Sequence, residues 1–198
     1  SSGLAQKIAD AAKLVRQVEE ALVQQGYTVQ TVRIATNPFG EWLPMDTDLE
    51  VQLARLDSIL AKHEIAFFSL GPARTLQELE HYCCSIVKSS PRFSCSVNLT
   101  SADVVMAKAA SRCILKIAHL GSECDAGAHV QDGLGNFRVC VASSCKDYIP
   151  FFPVAKCASS GTARTVAPGL KFAVGLENGP LAHHLLSKCV SISNVRTT

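Results

Sequence analysis

Residues 92–105, Arg-Phe-Ser-Cys-Ser-Val-Asn-Leu-Thr-Ser-Ala-Asp-Val-Val, run from a short apolar strand through a polar turn directly into a helix. The same unit recurs along the chain, and that recurrence narrows the possible folds. Strands separated by long helical stretches are joined by right-handed crossovers and lie mainly parallel. The strands read as apolar runs rather than strict alternations, as expected where both faces of a sheet are covered.

Leu4, Ile8, Ala11, Val15, Val18 and Leu22 alternate spacings of four and three, which predicts a long first helix closed at Gly26. This narrow stripe suits packing on the chain's own sheet or a coiled-coil seam with another chain. Residues 27–35 are rich in β-branched side chains and predict the first strand, broken by Asn37-Pro38-Phe39-Gly40. Leu49, Leu53, Leu56 and Leu60 mark a second helix. A strand over 65–70 follows and stops at Gly71-Pro72. Thr75 and Glu78 have capping-box spacing for a third helix reaching Val87.

The strand over 93–99 precedes a helix over about 102–120, where Thr100 and Asp103 form a similar cap signature. Four glycines within 121–136 predict a loop, or a hairpin around Asp132-Gly133. Residues 137–142 and 170–176 predict the fourth and fifth strands, on either side of an irregular stretch. Asn178-Gly179-Pro180 then opens a closing helix to about Cys189. The expectation is an α/β domain over 1–198, with a five-stranded, mainly parallel sheet and flanking helices.

With 47% apolar and 18% charged residues, a chain of this length has material for a sizeable core. The net charge of +2, without a basic tract or aromatic–basic interleaving, gives no support for nucleic-acid binding. No apolar run reaches the roughly 20 residues of a membrane span. Asp10, Glu19 and Glu20 in the first amphipathic helix argue against a transit peptide, although the Ser-Ser-Gly start without Met suggests a processed or truncated end. Nine cysteines, an odd number without a Cys-x-x-Cys pair, read as buried thiols of a reducing intracellular compartment, the cytoplasm or an organellar matrix.

In parallel sheets ligands collect beyond the carboxyl ends of the strands. That edge is expected to hold Thr36 and Asn37, Ser69, Asn98 and Ser101, Ser143 and Ser144, then Glu177 and Asn178. Polar but largely uncharged, the set suits a small polar or anionic molecule at a helix N-terminus, although turn and capping chemistry uses the same residue types. Cys145 beside Lys146 is the candidate nucleophile, since a neighbouring cation lowers a thiol's pKa, but no His or Asp partner is assignable. His81, Cys84 and Lys88, or His119, Cys124 and His129, lack zinc-site spacing, so no metal or other cofactor is expected. Ser159-Ser160-Gly161-Thr162 with Arg164 lacks the Gly-Lys-Ser/Thr end of a phosphate loop.

Three segments carry a family resemblance: Phe-Ser-Cys-Ser-Val-Asn-Leu at 93–99, Phe-Arg-Val-Cys-Val-Ala at 137–142 followed by Tyr-Ile-Pro-Phe-Phe at 148–152, and Lys-Phe-Ala-Val-Gly-Leu-Glu-Asn-Gly-Pro at 171–180. In order and spacing the chain resembles the domain-of-unknown-function family seven-hundred-eleven, clearly over 92–187 and loosely over 27–91. The resemblance implies a barrel similar to pyruvate formate-lyase, built from two five-stranded parallel halves, of which this chain matches one. Family members are about twice as long, so a second copy or a separate chain is expected to complete the barrel. Glycyl-radical chemistry is not implied: Cys95 falls within a strand and residues 191–198 contain no glycine. The resulting expectation is a non-enzymatic assembly or scaffold subunit. The alternative is an enzyme or polar-ligand-binding protein using the strand-end residues.

Overall fold

A computed structural model describes residues 2–44, 48–100, 103–122, 127–145, 149–157, 170 and 172–188. Strands β1 (Arg33–Ala35), β2 (Phe67–Ala73), β3 (Phe93–Leu99) and β4 (Val139–Ser143) form one parallel sheet in chain order. α1 (Ser2–Gln24) leads into β1, and α2 (Leu49–Lys62), α3 (Cys83–Ser89) and α4 (Val104–His119) run between the strands. Each crossover advances the sheet in the same direction, and right-handed crossovers then place every helix on one face. Contacts of α1 with α2, α2 with α3 and α3 with α4 form that single helical layer.

The core lies between the layer and the sheet. Leu53, Leu56 and Leu60 of α2, Ile86 and Val87 of α3, and Ala109, Ala110 and Ile117 of α4 meet Phe68, Leu70, Phe93, Cys95 and Val97. Burial of each large apolar side chain contributes about 1.5–3 kcal/mol. Phe68 sets its ring edge-on to Trp42 and Phe93, with centroids 6.3 and 6.4 Å away. From the α1 stripe Ile8 is buried in the core and Leu4 and Val15 pack against it, with Ala12, off the stripe, buried beside them.

Local chemistry fixes the helix starts. Asp48 caps α2 by accepting from the Glu50 and Val51 amides. At Thr75 the capping box forms: Glu78 N–H donates to Thr75 Oγ1 at 3.1 Å, and Glu78 Oε2 accepts from Thr75 N–H at 3.3 Å. The following turn, Glu78–Tyr82, is π-helical and leads into α3. Asp103 caps α4 through Met106 N–H at 2.9 Å.

Several expectations are corrected. The described sheet has four strands, and residues 172–178 carry no regular secondary structure, are exposed and lie outside every ladder. Their β-type composition is met by no backbone partner strand among the described residues, so sequence pattern alone does not make a strand there. β1 spans three residues because its register with β2 begins only at Phe67. β2 does not stop at Gly71-Pro72: a bulge between Ser69 and Pro72, with Gly71 at φ +82°, carries the strand through to Ala73. Within 127–138 there is no hairpin but 3₁₀ backbone, kinked where Asp132 and Gly133 take φ +51° and +76°. The last helix, α5 (Gly179–Leu186), ends earlier than expected and buries no side chain. Among the described residues no helix is long and apolar enough to cross a membrane.

Candidate functional site

β3 alternates strictly, and the alternation creates the site. Phe93, Cys95 and Val97 point into the helix-covered core. Ser94, Ser96 and Asn98 take the other face. Register adds Ser69 opposite Ser94, Cys140 opposite Ser96, and Ala142 opposite Asn98. Ala142 and Ala155 are buried yet stand outside the main core cluster, which identifies this face as a second, separate buried surface.

Part of its cover comes from residues 149–157. Ile149 and Lys156 form an antiparallel bridge, and Ser69 Oγ donates to Ala155 O at 2.5 Å. Cys157 N–H donates to Thr36 O at 2.9 Å. Under this cover Ser94 and Ser96 are 4% and 1% exposed. Their hydroxyls, and the amide oxygen of Asn98, have no hydrogen-bond partner among the described residues. A buried polar group left unpaired costs about 1–3 kcal/mol. Three aligned along one strand face form an unspent hydrogen-bonding surface.

The residues predicted at the carboxyl edge fall into different environments. Asn98 lies at that edge, at the end of the unpaired ladder. Ser69 is mid-strand, because β2 continues beyond it, and its hydroxyl is engaged with Ala155. Thr36 Oγ1 donates to Ser69 O at 3.2 Å, and Asn37 Nδ2 donates to Glu41 Oε2 at 2.7 Å, so both side chains serve the β1 turn. Ser144, at φ +56°, and Cys145 are exposed beyond β4. Glu177 does not join the edge: its carboxylate accepts from Gln30, ahead of β1, at 2.8 Å. Asn178 precedes α5 without a side-chain cap bond. Ser101, Lys146 and the Ser159–Arg164 stretch lie outside the described residues.

Sequence reasoning missed Ser94 and Ser96. The signal was present as period-two polarity in Ser-Cys-Ser-Val-Asn, submerged because the serines are small and the strand reads as a continuous apolar run. Thiols gather on the helix side instead. Hydrogen bonding with Cys113 and Cys95, and then burial, pushes the Cys83 thiol up; hydrogen bonds from Cys83 and Cys84 pull Cys113 down. Burial, followed by the nearby Cys145, raises Cys140. Among the described residues no three His, Cys, Asp or Glu side chains are grouped to hold a metal ion. His129, one of the spaced histidines, is paired through Nε2 with Lys88 O at 3.0 Å.

A family model described as "Uncharacterised ACR (DUF711)" matches residues 2–198. The match bears out the resemblance carried by the three segments and extends it through the first helix and the loosely resembling 27–91 stretch. No curated protein and no solved structure matches the chain.

Proposed function

This chain belongs to the uncharacterised family DUF711, and from that premise we propose that it is an assembly subunit, one half of an α/β barrel. Its serine- and asparagine-lined sheet face, already covered in part by residues 149–157, becomes the wall of a chamber for a small polar ligand once a second half completes the cover. The second half is another copy or a separate chain. Support comes from the strand order and the single layer of helices, an arrangement that leaves one sheet face to be covered by something other than a helix. The observation that carries the reading is Ser96, 1% exposed with its hydroxyl unpaired among the described residues. An apolar residue there would serve a purely structural face better.

Native mass spectrometry tests both parts together. The expected spectrum shows a dimer or hetero-complex carrying added small-molecule mass, and that mass is lost in Ser96→Ala and Asn98→Ala. A complex without added mass would leave the scaffold and remove the chamber. A bare monomer would remove both.

A further inference from the structure

A pocket lies at the opposite end of the strands from Asn98. We propose that the amino-terminal rim of the sheet binds a single-ring aromatic carboxylate between Arg33, Arg138 and a set of phenyl rings. The pocket measures about 150 Å³ and includes Arg33, Arg92, Arg138, Phe67, Phe137 and Phe152 in its lining. Drug-sized sites start near roughly 300 Å³, so this one holds one small ring with its charged group.

The three guanidinium groups are not equivalent. Arg92 is neutralised by Asp57 at 3.2 Å and also donates to Ile65 O. Arg138 donates only to carbonyls among the described residues, those of Ser90, Phe93 and His129. Its charge is therefore oriented without being cancelled, and burial draws its pKa down from the ordinary arginine value. The Arg33 guanidinium makes no hydrogen bond or ion pair among the described residues. Its guanidinium sits 4.8 Å from the Phe67 ring centroid and 5.4 Å from that of Phe152. Ring stacking orients this cation while leaving its in-plane N–H donors free for a carboxylate fork.

Two uncompensated cations at the rim select an anion. Ser94 also lines the pocket, is 4% exposed, and has no partner for its hydroxyl among the described residues, so it supplies a buried donor. Phe67, Phe152 and the exposed ring of Phe137 provide apolar walls. A strongly hydrated anion loses its water against such walls, whereas a flat apolar body gains contact. Charge and ring together specify the ligand class.

Amide NMR titrations of the full chain with four probes decide the matter. Benzoate is expected to bind saturably, and acetate, benzyl alcohol and inorganic phosphate at least tenfold more weakly. Arg33→Gln should weaken benzoate at least tenfold. Phe152→Leu, which keeps an apolar residue but removes the ring, should weaken it several-fold with the amide spectrum otherwise unchanged. Benzoate binding no better than acetate, phosphate binding as well as benzoate, or Arg33→Gln binding like the parent overturns the proposal. The chamber is tested through Ser96 and Asn98, so either site can fail while the other stands.

Discussion

Gly71 shows how much one residue can decide. Its φ of +82° lies in the left-handed region, and a Cβ there would stand 2.5 Å from Asn37 O. Only glycine therefore lets the turn after β1 press onto β2 while the strand passes its bulge. Gly71→Ala is expected to cost about 1–3 kcal/mol through strain and forced retreat of the Asn37 backbone. Urea denaturation should show this as a lower midpoint with an unchanged slope. In the sequence, Gly71-Pro72 reads as a strand end, because that dipeptide breaks most strands. That here it marks a bulge is visible only beside its neighbour. Ser94 and Ser96 teach the converse: their period-two placement was legible, but their lack of partners depends on what lies across the sheet.

At the scale of elements, the helix starts were the most legible part, because a cap is a contact between residues three apart in sequence. Thr75 with Glu78 forms the bonds that its spacing predicts, whereas α4 starts at Val104 and is capped by Asp103 itself through Met106, not by the expected pairing of Thr100 with Asp103. Thr75→Ala should cost about 1 kcal/mol, while Thr75→Ser retains the oxygen and stays close to the parent. Chemical denaturation of the two variants separates loss of the cap from loss of bulk. Strand extents were less legible. Residues 33–35 and 139–143 are delimited by their registers with β2 and β3, and the apolar run at 172–176 finds no register among the described residues. A strand is defined by its neighbour's hydrogen bonds, which no local pattern contains.

At the scale of the whole molecule, strand order and handed crossovers produce a sheet with one helical face and one polar face. α5 and the described residues 172–178 before it add no buried side chain, and Leu181 and Leu185 are more than half exposed. Leu181→Lys with Leu185→Lys should therefore leave the unfolding free energy within about 0.5 kcal/mol of the parent. Thermal melting at fixed protein concentration checks this; a larger loss would mean that α5 packs onto the fold. By itself the sequence determined the alternation of strand and helix, the parallel sheet, the Thr75–Glu78 capping box, the leucine core of α2 and the family. These follow from side-chain polarity, spacing and residue type along the chain. Tertiary structure alone decided which strands pair, that β2 runs on through a bulge, that the polar atoms of β3 stay unpaired, and that arginines 33, 92 and 138 meet at one rim. Each of those facts is a relation between residues distant in sequence, and only the folded chain brings them within bonding distance.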